Sequence, residues 1–91
     1  MNFGRAIEAL KREECVQREG WNGKGMFIYI EDRLSCPRKN GVFGNEDIKY
    51  DPCIVIFTAQ KIHQPGWNAS TADVLAEDWK IVPLEYVIQN D

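Results

Sequence analysis

The chain has 91 residues, of which 44% are hydrophobic and 11% aromatic, so it can build one small core and is not a disordered chain. Its formal net charge of −3 excludes the strong basic excess of general DNA- or RNA-polymer binders. Cys15, Cys36 and Cys53 are odd in number, widely spaced and free of any C-x-x-C, which argues against a disulfide framework or a zinc site and suits free thiols in a reducing cytoplasm.

In chain order, Phe3, Ala6, Ile7 and Leu10 make one apolar stripe behind Asn2, a capping residue; this predicts a helix over 3–13. Residues 16–18 follow as a short strand. The glycines at 20, 23 and 25 then force a turn. "MFIYIE" at 26–31 reads as a strand with Met26, Ile28 and Ile30 on one face and Phe27 and Tyr29 on the other. Two apolar faces predict a central strand or one in a subunit interface. Residues 32–51 read as loop. "CIVIFT" at 53–58 predicts a strand, and "QKIHQPG" a hairpin tip or irregular edge.

A short second helix is expected to start at Ser70, with Ser70 at the N-cap and Asp73 closing a capping box. Leu75, Ala76 and Trp79 follow at inward spacings, and "WKIVP" ends the pattern as a strand stopped at Pro83. The order α-β-β-β-α-β predicts an α+β fold: a single domain (1–91) in which a small antiparallel sheet carries an N-terminal helix and a short C-terminal helix. The N-terminal stretch "MNFGRAIEALKREE" lacks the long apolar core of a secretory leader, and no apolar run is long enough to span a membrane, so neither is expected.

No catalytic set emerges. His63 is the one histidine and sits in "IHQP", where a surface role is the plainer reading. There is no G-x-S-x-G elbow and no Walker loop, and Glu77 and Asp78 are adjacent in sequence and would diverge on a helix.

The tripeptide Gly-Trp-Asn, by contrast, occurs at 20–22 and again at 66–68. In "GWNGKG", Trp21 offers a flat face, Asn22 a polar edge, Gly23 a close backbone approach and Lys24 a cation for phosphate. "GWNAS" puts Trp67 and Asn68 just ahead of a helix start that favours an anion, with Ser70 and Asp73 in its first turn. These residues suit a nucleotide better than a sugar or a metal. The alternative for Trp21 is a tight hairpin whose indole packs on the core; for the second stretch it is a loop plus capping box. Basic residues also concentrate in the first half: residues 1–45 hold eight Lys/Arg against six Asp/Glu, and residues 46–91 hold three against eight.

Taken together, "FGRAIEALK" (3–11), "REGWNGKGM" (18–26), "YDPCIVIFTAQ" (50–60) and "STADVLAEDW" (70–79) resemble the Thoeris anti-defence 2 family of small phage and prophage proteins. The resemblance covers nearly the whole chain except the loop at 32–47. It implies a non-enzymatic sponge that binds a cyclic ADP-ribose isomer made by a TIR-domain immune enzyme, in the cytoplasm of the infected bacterial host; the lack of clustered His/Cys ligands and of an acidic Ca²⁺-binding loop predicts that no metal is needed, and no cofactor is expected. The resemblance also implies a homo-oligomer, a tetramer, with ligand pockets at subunit contacts, and in some members separate sites for cyclic dinucleotides. On this reading Trp21, Asn22, Gly23, Lys24, Trp67, Asn68, Ser70 and Asp73 are the ligand-binding candidates. Two alternatives remain at this point: an enzyme that hydrolyses or isomerises a cyclic nucleotide, and an adaptor that binds another protein.

Overall fold

A computed structural model describes residues 1–21, 25–32, 51–83 and 85. The fold is α+β: helix α1 (Phe3–Lys11), strands β1 (Cys15–Arg18), β2 (Phe27–Glu31), β3 (Cys53–Phe57) and β4 (His63–Pro65), helix α2 (Thr71–Leu75) and strand β5 (Trp79–Val82). All pairings are antiparallel, and the sheet order is β4-β3-β2-β1-β5. The first four strands form a meander. The chain then recrosses the sheet through α2 to lay β5 outside β1. Strand β4 is an addition to the predicted order: the segment expected as a hairpin tip or irregular edge pairs Val55 with Pro65 and Phe57 with His63. It is short and ends on a proline, both of which suit an edge strand.

Strand alternation divides the apolar residues between two faces. Val16, Ile28 and Trp79 join Ala6, Ala9 and Leu10 of α1 in one buried cluster, with Ile30, Ile54 and Ile56 packed beside them. Phe27, Phe57 and Val82 form a second cluster, against which Cys15 and Tyr29 pack. The Phe27 and Phe57 rings stack at 4.9 Å. Central β2 therefore serves both clusters, and this accounts for its two apolar faces without a subunit interface. His63 is exposed on β4; its Nδ1 lies 2.7 Å from the Tyr29 hydroxyl and its ring packs on Phe57. Cys15 and Cys53 are free thiols, and burial pushes the Cys15 thiol up. Among the described residues, no helix is long and apolar enough to cross a membrane.

Helix α1 starts where expected, with the Asn2 side chain accepting from the Arg5 N–H at 2.9 Å. It ends two residues early. The Glu13 N–H donates to the Leu10 carbonyl and the Glu14 N–H to the Ala9 carbonyl, at 3.0 and 3.1 Å, closing a Schellman motif with Glu13 at φ 67°. A left-handed backbone strains any residue with a Cβ, and a carboxylate here also opposes the helix dipole. Glu13→Gly is expected to stabilise the protein by about 0.5–1 kcal/mol, after allowing for the greater freedom of glycine in the unfolded chain. Thermal unfolding checks this: the midpoint should rise by about 2–8 °C.

Candidate ligand-binding site

The two Gly-Trp-Asn segments converge at one end of the sheet. Their glycines meet different constraints. At Gly20, an added Cβ would stand 2.9 Å from the Asp78 Oδ2, which accepts the Gly20 N–H at 2.9 Å. At Gly66 the space is open, but φ is 88°, a conformation that turns the chain out of β4. The Gly66 and Trp67 N–H groups both donate to the Ile54 carbonyl at 3.0 Å, which seats Trp67 over the end of β3.

The indoles meet edge to face. Trp21 and Trp67 lie 6.2 Å apart at 68°, and each also contacts Trp79, at 5.3 Å and 78° and at 6.3 Å and 84°. Trp79 is buried at the centre of the trio, whereas Trp21 and Trp67 are half-buried and pack on the helix-side cluster. Trp21 thus rests on the core, one of the two readings that the sequence left open, and keeps part of its surface exposed. Rings in direct contact at 68° leave no slot between them. They form a corner, in which a flat ligand can lie on one indole and abut the edge of the other.

Asp73 lies beneath this corner. Its Oδ1 accepts from Arg18 Nη1 at 2.9 Å and from the Trp21 indole N–H at 3.5 Å, and its Oδ2 accepts the Ser70 N–H at 3.0 Å. The Asp73 N–H donates to Ser70 Oγ at 3.1 Å, completing the predicted capping box, and the Asp73 carbonyl takes the Trp79 indole N–H at 2.9 Å. Ser70 and Asp73 are committed to the cap and to the tryptophans. With α2 only one turn long and its first turn already carrying the Asp73 carboxylate, the expected anion preference of that helix start is offset within the protein. The same shortness corrects another expectation: the helix stops at Leu75, which is 74% exposed instead of facing the core.

Arg18 and Asp78 complete the cluster, and neither was a sequence candidate. Arg18 Nε donates to Asp78 Oδ1 at 2.9 Å. A usable signal was present: Arg18 stands two along β1 from buried Val16, so strand alternation turns a cation to the helix-covered face, where it needs partners. Asn68 is exposed and its side-chain amide donates to the Gly66 carbonyl at 3.4 Å. Asn22, Gly23 and Lys24 lie outside the described residues. A separate cavity of about 320 Å³ opens near the C-terminal end of α1, lined by Leu10, Lys11, Glu13, Ile30, Asp32 and Pro52. It contains none of the described candidates and no aromatic wall.

The ionisable groups here depart from their ordinary values. Burial pushes the Asp73 carboxyl up, but hydrogen bonds with Ser70, Arg18 and Trp21 outweigh it and leave the group below the usual carboxylate range. Arg18 holds the Asp78 carboxyl down, with the Gly20 N–H assisting against burial. Carboxyls depressed in the fold favour the folded state above their unfolded pKa, about 3.9, and this contribution is lost as pH falls through the lower folded values. The urea midpoint is therefore expected to hold between about pH 5 and 8 and to fall below about pH 4. Asp78→Asn should lower the plateau and make that fall shallower; an unchanged acid limb would show that the pair does not carry it.

Comparison with known proteins identifies the family. The model of the Thoeris anti-defense 2-like domain matches residues 1–82. The chain is also 45% identical over 87 residues to the Thoeris anti-defense 2 protein of Bacillus phage SP01, covering 90% of this chain and 94% of that protein. The family-model match spans the paired Gly-Trp-Asn turns, the capping box and β5, and on both matches the chain belongs to the Thoeris anti-defense 2-like family, a membership that supports a phage anti-defence role.

Proposed function

We propose that this protein is a sponge for a bacterial immune signal: it binds a cyclic ADP-ribose-type nucleotide, glycocyclic ADP-ribose in kind, and holds it without cleaving it. The observation that carries this reading is the Trp21–Trp67 corner, two half-buried indoles gathered from distant segments and held in a fixed relation over Asp73. An adenine ring stacked on one indole contributes about 1–3 kcal/mol, so tight binding requires further contacts to the ribose and phosphate groups. Lys24 is the cation we assign to phosphate, with Asn22, Gly23 and Asn68 at the polar edge. Asp73 and Ser70 act by shaping the corner.

We further propose that the working form is a homotetramer in the host cytoplasm and that binding needs no metal. Exposed Val74, Leu75 and Ile81 are apolar surface available for self-association. Sedimentation equilibrium at micromolar concentration is expected to give a multiple of the 10.5 kDa chain mass. A monomer there would end the tetramer proposal.

The sponge reading is tested by loading the protein with glycocyclic ADP-ribose, removing free nucleotide by filtration, and releasing the bound fraction by heat. Mass spectrometry should recover the nucleotide intact, with EDTA present or absent. Recovery as ADP-ribose would make the protein an enzyme, and no retention at all would favour an adaptor.

A further inference from the structure

We propose that Arg18 is a positioning residue: by bridging Asp73 and Asp78 it fixes the Gly20–Trp21 turn and holds the Trp21 indole in its corner with Trp67. This rests on the reading of that corner as the ligand surface.

Among the described residues, both side-chain ties on the turn pass through carboxylates that Arg18 touches, beside a backbone bond from the Glu19 N–H to the Asp78 carbonyl at 3.1 Å. Arg18 Nε and Nη1 each reach a different carboxylate at 2.9 Å. Asp78 uses its other oxygen to take the Gly20 N–H at 2.9 Å. The carbonyl of Arg18 itself takes the Trp21 N–H at 3.2 Å, and Asp73 Oδ1 is shared between Arg18 and the Trp21 indole. The Arg18 side chain is 20% exposed, and it has a planar fork whose donors can serve two acceptors in different directions at once. A lysine ammonium has the charge without that geometry. An indole free to move would lose that freedom on binding its ligand, which weakens affinity; one held beforehand does not. Arg18→Lys keeps the charge of this mostly buried pair and removes the fork. Its effect is therefore expected in the placement of Trp21 more than in the melting point.

The test uses ¹⁵N-labelled full-length protein and the indole N–H resonances, with Trp21 and Trp67 assigned by their Phe variants and Trp79 by difference. In Arg18→Lys, the Trp21 indole resonance is expected to shift and broaden. The Trp79 resonance should stay sharp, because its donor is held by the buried Asp73 carbonyl. Affinity for glycocyclic ADP-ribose, by calorimetry, is expected to fall about tenfold. Asp78→Asn should move the same resonance in the same sense, and it decides the matter if Arg18→Lys does not fold. A Trp21 resonance unmoved in either folded variant would overturn the proposal. So would loss of both indole resonances together, or failure of both variants to fold, since Arg18 would then be a general stabiliser. If the wild-type protein fails to bind the nucleotide while Trp21 responds as described, the ligand reading falls and the positioning of Trp21 by Arg18 stands.

Discussion

Trp79→Ala is expected to leave the protein largely unfolded or aggregated near physiological temperature. Trp79 is 2% exposed and is the largest of the fully buried side chains. It touches Phe3 at 5.5 Å as well as Trp21 and Trp67, so it joins the first turn of α1 to both Gly-Trp-Asn segments. Truncating a buried Trp costs about 3–5 kcal/mol. A chain of this size has about 5–14 kcal/mol of stability in total. At about 4–8 °C per kcal/mol, the midpoint should drop by tens of degrees. The removed indole also leaves the Asp73 carbonyl without its donor. Trp79→Phe should be milder: most of the ring volume remains, and the chief loss is that hydrogen bond, about 1–3 kcal/mol for a buried acceptor left unmade. Circular dichroism melts of both variants check the order. A Trp79→Ala protein that melts within a few degrees of the parent would show that this ring is not the centre of the helix-side core.

Trp21→Ala is expected to move two quantities at once. Loss of a stacking face of about 1–3 kcal/mol should weaken binding of glycocyclic ADP-ribose roughly five- to 150-fold. The indole is also half-buried on Trp79 and Trp67, so stability should fall by about half of what full burial would imply, about 1.5–2.5 kcal/mol. Trp21→Phe should recover part of both. Calorimetric affinity and thermal midpoint are to be measured on the same samples below the midpoint. A folded Trp21→Ala protein that melts lower yet binds normally would remove Trp21 from the ligand surface and leave it as core. One that loses affinity with an unchanged midpoint would show that its contacts with Trp79 contribute nothing to the fold.

Features set by neighbours in the chain were determined by the sequence itself. The stripe Phe3, Ala6, Ile7, Leu10 and the Asn2 cap specify α1, because helical periodicity and capping act within a few residues. The Ser70–Asp73 box specifies the start of α2 for the same reason. The alternation in 27–31 and the core spacing of Trp79 were equally plain. The family could also be read from its paired motifs, because those are matters of residue identity and order.

What only the tertiary structure decided are the contacts made between segments far apart. Arg18 finds its two carboxylates 55 and 60 residues away, and one of them stands so close to Gly20 that an added Cβ would make it shift. The paired indoles form a corner instead of a slot because the turn out of β4 brings Trp67 edge-on to Trp21 beside Trp79. Local pattern left β2 as either central or at a subunit interface, and it could not show that β4 pairs at all, because strand pairing depends on the register of remote partners. Leu75 shows the same limit in miniature. Its helical spacing pointed inward, but a helix of a single turn ends before that spacing can carry it to the core.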